Sequence, residues 1–226
     1  MKQSLICVQA MIIASLLLMQ GKVQAAPIQF DYGASIVGNT TGFTSVSAGD
    51  AVTGSIEFDS EIEDSIPNDP VIGSYTNGPI TLDLNLAGLS FTDDRISTTS
   101  ITVSDNRLIG GQEVDSLRVV ASPLGSPIDG MILQQVIVTL NDLTASAFNS
   151  DALPTSLDLS AFQESSIFMS FFDPAAGRTR QLFAGINTVI GETPADVPEP
   201  RTFYLLLIAL AAVGIAAKGS NHVRFA

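Results

Sequence analysis

The stretch Ile80–Leu86, which reads ITLDLNL, alternates apolar and polar side chains without a break. In an extended chain successive side chains point to opposite faces, so the four apolar residues share one face and Thr81, Asp83 and Asn85 share the other. One face is therefore dry and the other is wet. This is the pattern of a strand in a sheet that covers a core on one side only.

The same kind of pattern recurs along the chain. Further runs of alternating or β-branched residues, separated by Gly, Pro, Asn and Asp, are ASIVG (34–38), AVTGSIEF (51–58), TSITVSDN (99–106), DSLRVVAS (115–122), MILQQVIVTLND (131–142), SSIFMSFFD (165–173) and RQLFAGINTVI (180–190). Together they predict an all-β fold of about eight to ten strands, arranged as two packed antiparallel sheets in a β-sandwich, jelly-roll-like body. The segment DALPTSLDLSAF (151–162) predicts a short helical turn.

The first residues have the composition of an export leader. Lys2 supplies a positive start, an apolar run surrounds residues 10–19, and small residues allow cleavage between Ala25 and Ala26. A buried core helix is the alternative, but it would show a polar face that this run lacks. The sequence predicts an N-terminal signal helix over 1–25 and an exported product that engages the export machinery.

An apolar segment near the other end predicts a membrane helix. Residues 203–217 carry no charge and would form about 23 Å of helix, against roughly 30 Å of bilayer hydrocarbon. Neighbouring small residues lengthen the span, which we place at 202–220, and Lys218 can reach the lipid headgroups. Lys218 and Arg224 are basic whereas the body is acidic, so the tail at 221–226 is predicted to be cytoplasmic and the body to lie outside. A buried C-terminal core helix is the alternative.

Between body and helix, a linker over 191–201 contains Val197-Pro198-Glu199-Pro200. The two prolines fix φ, remove backbone donors and disfavour helix at the residues before them, so Glu199 is held on an extended strip. A processing enzyme can read an extended strip because its carbonyls are exposed. The simpler alternative is that the prolines only keep an acidic linker from joining the helix.

The VPEP motif, the apolar span and the basic residues, in this order, resemble the PEP-CTERM sorting signal, also labelled the ice-binding protein C-terminal domain. The resemblance implies that a membrane-embedded exosortase recognises the motif and releases or re-anchors the exported protein, in bacteria that make exopolysaccharide. The body resembles a β-rich PEP-CTERM ectodomain over 26–190. The stretches that carry this second resemblance are AVTGSIEFD, DLTASAFNSDALPTSLDLSAFQ and FAGINTVI.

The composition of the body excludes most catalytic chemistries. Residues 26–196 contain no His, Cys, Lys or Trp, so no His-activated Ser or Cys nucleophile, Schiff base, P-loop or His/Cys zinc site can be built there. They contain 22 acidic residues and five arginines, and 5 − 22 gives a net charge of −17. Such a charge repels nucleic acid and anionic lipid. We therefore expect a non-catalytic cell-surface or extracellular-matrix protein without a cofactor.

Three alternatives stay open. A carboxylate-dependent glycoside hydrolase needs two acids about 5 to 10 Å apart, for which Asp93 with Asp94, or Glu113 with Asp115, are candidates. A calcium- or glycan-binding adhesive module is a second alternative, since the acidic stretch FDSEIEDSIPND offers oxygen ligands for Ca²⁺, although it lacks the spacing of an EF-hand loop. The metal candidates are Asp59, Glu61, Glu63, Asp64 and Asp69. The third is an ice-binding module built on the threonine-rich pieces NTTGFTSVS and STTSITVS.

Overall fold

Strands dominate the computed structural model, which describes residues 27–38, 41–95 and 98–192. In chain order the strands are β1 (Pro27–Ile36), β2 (Ala51–Asp59), β3 (Ile72–Tyr75), β4 (Ile80–Leu86), β5 (Leu89–Asp93), β6 (Ser100–Ile109), β7 (Gln112–Ala121), β8 (Leu124–Gly125), β9 (Ile132–Asp142), β10 (Glu164–Asp173) and β11 (Arg178–Glu192). A single 3₁₀ turn, Leu159–Ala161, is the only helical element among these residues and lies in the stretch where the sequence predicts a helical turn. The prediction of an all-β body is confirmed.

All eleven strands belong to one sheet, and every neighbouring pair is antiparallel. From one edge to the other the order is β3, β6, β7, β9, β10, β11, β1, β2, β4, β5 and β8. The sheet curls into a half-barrel. The hydrogen-bonded ladder thus runs without a break where the sequence predicts two separate sheets, because alternation within a strand does not specify which strand pairs with which.

The concave side of the curled sheet holds the hydrophobic core. In β4 the alternation of Ile80–Leu86 appears as predicted, with each of its four apolar residues at most 2 % exposed. Burying one such side chain contributes about 1.5–3 kcal/mol. The largest fully buried side chains come from both halves of the sheet and form one cluster: Phe30, Phe58, Phe91 and Phe171.

Local irregularities bend the strands so that the sheet can curl. The ladder shifts register between β1 and β11 at Gly33/Ala34, between β6 and β7 at Ser104/Arg107, and between β10 and β9 at Ser170/Phe171, and the extra residues are in β11, β6 and β9. An extra residue in one strand of a pair bends that strand and increases its twist. These shifts lie at strand positions that a simple count of alternating residues does not mark.

The hairpin between β6 and β7 needs two glycines. Gly110 and Gly111 have φ values of 61° and 91°, and they connect the paired residues Ile109 and Gln112. Positive φ at both central residues is the requirement of a two-residue hairpin turn of type I′. The sequence prediction contained β6 and β7 as separate runs, and this turn joins them.

A tyrosine fills the space over a strand glycine. Tyr32 on β1 pairs with Gly54 on β2, and its hydroxyl donates a hydrogen bond to the carbonyl oxygen of Asp83 at 2.7 Å. A Cβ atom at position 54 would overlap that carbonyl oxygen and the tyrosine hydroxyl. Burial, with a contribution from the charge of Asp83, raises the pKa of Tyr32 above its usual value.

Eight of the eleven strands were predicted, and the three that were not are short. They are β3, β5 and β8, with four, five and two residues. Short strands offer too few positions to show a period of two, and β5 is separated from β4 only by the two-residue turn at Ala87 and Gly88. The predicted signal helix at 1–25 and membrane helix at 202–220 lie outside the described residues. Within the described ranges, no helix has the length and apolar character needed to cross a membrane.

Candidate functional site

The acidic stretch after β2 forms a loop around a hollow of about 340 Å³. Four of the five predicted metal ligands line this hollow, and Asp69 does not: the four are Asp59, Glu61, Glu63 and Asp64. The structure therefore gathers most of the predicted acidic residues along one rim.

Hydrogen bonds within the loop already use three of these carboxylates. Asp59 accepts from the backbone N–H of Glu61 at 2.8 Å. Asp64 accepts from the N–H groups of residues 66 and 74, and Asp69 from those of residues 71 and 72. Across the described ranges, no group of three or more His, Cys, Asp or Glu side chains converges as metal ligands would. The arrangement is that of a loop folded around its own carboxylates.

The two carboxylate pairs considered for sugar hydrolysis are each split between protein interior and solvent. Asp93 is fully buried while Asp94 is exposed, and Asp115 is fully buried while Glu113 is exposed. A pair that brackets a glycosidic bond needs both groups open to the same cleft. Neither pair provides this.

Asp93 joins three segments of the chain. Its carboxylate accepts hydrogen bonds from the Thr98 hydroxyl at 2.7 Å and the Ser122 N–H at 2.8 Å, and it forms an ion pair with Arg95 Nε at 3.0 Å. Burial alone would raise the pKa of Asp93, but these donors outweigh it and the pKa is lowered. The side chain therefore links β5 to the residues around Thr98 and Ser122.

Asp115 and Asp142 are a second buried acidic site. Asp115 accepts from the N–H groups of Asn106 and Phe148, at 2.7 and 2.9 Å. Asp142 accepts from three residues of the loop that follows β9: the N–H groups of Thr144, Ser146 and Ala147, and the hydroxyls of Thr144 and Ser146.

These hydrogen bonds control ionisation at the site. Burial opposes the charge on Asp142, but the donors of Thr144 and Ser146 more than offset it, so its pKa is well below the usual range. Asp105 lies close by and behaves in the opposite way, because burial and the charges of Asp115 and Asp151 raise its pKa. The hydrogen bonds to Asp115 and Asp142 attach the loop after β9 to the sheet.

Within the described residues, several hydroxyls of the threonine-rich pieces are hydrogen-bonded or buried. Thr44 and Ser45 donate both N–H groups and both hydroxyls to Asp129, which lowers the pKa of that carboxyl well below its usual value. The Thr98 hydroxyl is bonded to Asp93, and Thr99 is buried. Residues 39, 40 and 97, which belong to the same two pieces, lie outside the described residues.

The convex outer surface of the sheet has two contrasting halves. On β1, β2, β4 and β5 the outward side chains include three carboxylates, Asp31, Glu57 and Asp83. Asp31 and Asp83 line a shallow hollow of about 570 Å³. Asp31, Ser55, Asp83 and Thr92 stand in one cross-strand row there. We call this surface the acidic face.

On β7, β9, β10 and β11 the outward side chains carry no carboxylate over three consecutive cross-strand rows. The rows are Arg118, Thr139 and Ser166; then Val120, Ile137, Phe168 and Phe183; then Gln135, Ser170 and Gln181. We call these ten residues the neutral face. Its one charged side chain is Arg118, in a body whose sequence carries a net charge of −17.

Two phenylalanines form the centre of the neutral face. Phe168 and Phe183 are directly paired across β10 and β11, and their ring centroids lie 5.2 Å apart with an interplanar angle of 56°. Phe183 is 46 % exposed. The neighbouring Val37 is 53 % exposed and extends the apolar row beyond β11. Such a pair offers a solvent-accessible aromatic platform on a rigid sheet.

Sequence reasoning missed this platform, although a signal is present. Ile167, Met169 and Phe171 are buried, so alternation places Phe168 outward. The run IFMSFF is thus more apolar than a half-buried strand requires. Ile137 within VIV is likewise an apolar residue at an outward position. An apolar residue at an outward position is the informative feature in both runs.

The residues predicted for sorting lie outside the described part of the chain. They are the cleavage pair Ala25 and Ala26, the motif Val197, Pro198, Glu199 and Pro200, and the basic residues Lys218 and Arg224. No protein-family model, no curated protein and no solved structure matches this chain.

Proposed function

We propose that this protein is an exported, non-catalytic component of the cell surface or extracellular matrix that is delivered by a PEP-CTERM-type sorting signal. One observation carries this proposal: the VPEP motif at 197–200, the uncharged run at 203–217 and the basic residues Lys218 and Arg224 follow one another in the order of that signal. The leader-like composition of residues 1–25 supports the same route.

In this proposal each element has a separate role. Lys2 and the first apolar run engage the export machinery, and the second apolar run halts in membrane lipid as an inner-membrane tether. The extended Val197–Pro200 strip is presented to a membrane-embedded exosortase, which releases or re-anchors the body. The net charge of −17 between residues 26 and 196 keeps the body soluble and away from nucleic acid and anionic lipid.

The body acts as a stable module and not as an enzyme. The buried acids support this: the carboxylates of Asp93, Asp115 and Asp142 are fully buried and accept hydrogen bonds from backbone N–H and hydroxyl groups. We further propose that the two halves of the single curled sheet face each other as the two layers of a jelly-roll-like sandwich do. This is supported by the residues from both halves that share one core cluster. Exopolysaccharide is the extracellular partner that fits this location.

The sorting proposal is tested by expressing the full-length chain, Glu199→Ala and Asp196→Ala in an exosortase-containing host. We expect the wild type and Asp196→Ala to lose the C-terminal segment, and Glu199→Ala to keep it and stay in the membrane fraction. The readouts are the intact mass of the recovered protein and its distribution between membrane, surface and medium. Equal masses and locations for all three proteins would overturn the proposal.

A further inference from the structure

The distribution of charge over the outer surface limits what can bind to the neutral face. Carboxylates stand on the acidic face at Asp31, Glu57 and Asp83, but none stands in the three rows of the neutral face. Desolvating a carboxylate costs several kcal/mol unless it is paired. A ligand that covers the neutral face therefore has no carboxylate to neutralise within these three rows.

Shape and composition of the face define the ligand further. The apolar row of Val120, Ile137, Phe168 and Phe183 crosses four adjacent strands, which at ~4.8 Å per strand makes a platform roughly 15–20 Å long. Hydroxyl and amide side chains flank it on both sides, from Thr139 and Ser166 on one and from Gln135, Ser170 and Gln181 on the other. The platform is thus long, narrow and bordered by hydrogen-bonding groups.

A chain of uncharged sugars has the matching chemistry. The C–H faces of pyranose rings pack on aromatic and aliphatic surfaces, while their hydroxyls exchange hydrogen bonds with amides and hydroxyls at the rim. Each ring is comparable in width to the spacing between strands. An anionic polymer, in contrast, would meet the net charge of −17 carried by residues 26–196.

A second copy of this chain fits less well. Three rows at about 7 Å across four strands make a face of roughly 400 Å², about half of the ~800 Å² per partner that a stable protein interface buries. Two copies would also bring two strongly acidic bodies together. A single polysaccharide strand needs only the length of the row.

We propose that the neutral face binds an uncharged polysaccharide whose sugar rings stack on Phe168 and Phe183. The sugar hydroxyls form hydrogen bonds with the flanking side chains of Thr139, Ser166, Gln135 and Gln181. This deepens the exopolysaccharide partnership of the proposed function, and it rests on that function only for the location of the body outside the cytoplasm. The Phe183 ring is the main contact, because it is the more exposed of the pair.

The test measures binding of the purified full-length protein to cellulose, chitin, dextran and, as the anionic comparison, alginate. Phe183→Ser removes the exposed ring. Ile190→Ser is the matched control, because Ile190 is 64 % exposed on the same strand but pairs with Asp31, at the border of the acidic face. We expect at least one neutral polysaccharide to retain the wild type and Ile190→Ser equally, at low and high salt, and Phe183→Ser to bind about tenfold more weakly.

Several results would overturn the inference: retention by none of the neutral polymers, retention by alginate alone, or equal retention of wild type and Phe183→Ser. A change from dimer to monomer in Phe183→Ser, seen by size-exclusion chromatography with light scattering, would instead identify the face as a contact between copies. The assay uses purified protein, so its failure leaves the Glu199→Ala result untouched, and failure of sorting leaves the binding result untouched.

Discussion

Asp115 on β7 and Asp142 on β9 stand directly opposite each other in the sheet, and both are completely buried. Two like charges at neighbouring buried positions are costly unless donors surround them. Here the backbone N–H groups of residues 106, 144, 146, 147 and 148 provide those donors. The pair therefore depends on the loop after β9, and the loop depends on the pair.

Removing Asp142 is expected to cost substantial stability. In Asp142→Ala the N–H groups of Thr144, Ser146 and Ala147 lose their acceptor, and the free energy of unfolding falls by about 3 kcal/mol. Urea unfolding followed by circular dichroism measures this. Asp94→Ala, at an exposed acid, is the control and should stay within about 0.5 kcal/mol of the wild type. Equal effects of both changes would contradict this role of Asp142.

Stability should fall in acid. The pKa values of Asp93, Asp129 and Asp142 are lowered in the folded protein, so between the usual value near 3.9 and the folded value the unfolded chain binds more protons. Their stabilisation is present above about pH 4 and is lost as the pH falls towards the folded pKa values. The raised pKa of Asp105 acts in the opposite direction but is a single group.

The measurement is the melting temperature as a function of pH, from about pH 6 to pH 2. Asp129→Asn should make the curve shallower below pH 4, since the amide accepts fewer of the four bonds from Thr44 and Ser45 and does not titrate. A melting temperature that stays constant over this range would show that these carboxylates do not support the fold.

Gly54 is expected to tolerate no side chain. Its missing Cβ leaves room for the Tyr32 hydroxyl and the Asp83 carbonyl oxygen, so Gly54→Ala forces the backbone of β4 away and costs about 3 kcal/mol or more. Gly185→Ala is the matched control, because the nearest atom to its added methyl group is Val37 Cγ1 at 3.7 Å. Thermal unfolding of the two variants should differ clearly, and a stable Gly54→Ala protein would refute the close approach.

Calcium is expected to leave the stability unchanged. One carboxylate oxygen of Asp64 and one of Asp69 each accept two backbone donors, and no group of three or more acidic side chains converges within the described ranges. A specific site at a calcium concentration of 100 times its Kd would add about 2.7 kcal/mol, which a melting curve resolves easily. The comparison is between CaCl₂ and a chelator at constant ionic strength. A clear rise of the melting temperature in CaCl₂ that is absent in Asp64→Asn would restore the calcium-binding alternative.

Sequence patterns predicted the strands because burial on one side forces a period of two, as in Ile80–Leu86. The sequence does not predict which strands pair with each other, because β3 pairs with β6, and β11 with β1, through contacts that are distant in sequence. The buried carboxylates could not be predicted for a similar reason, since aspartate is usually exposed. Asp115 is held inside by a hydrogen bond from the Phe148 N–H, which lies 33 residues away in the sequence. The neutral face could not be predicted either, because its rows are defined by the pairing registers of four strands.

The two outermost strands are the short ones, β3 with four residues and β8 with two. A sheet with long open edges would invite other chains to add strands to it and to grow into fibrils. Here an incoming chain finds only a few backbone groups at either end of an eleven-stranded ladder. The fold thereby combines an extensive sheet with little opportunity for edge-to-edge aggregation, even where many copies are crowded together.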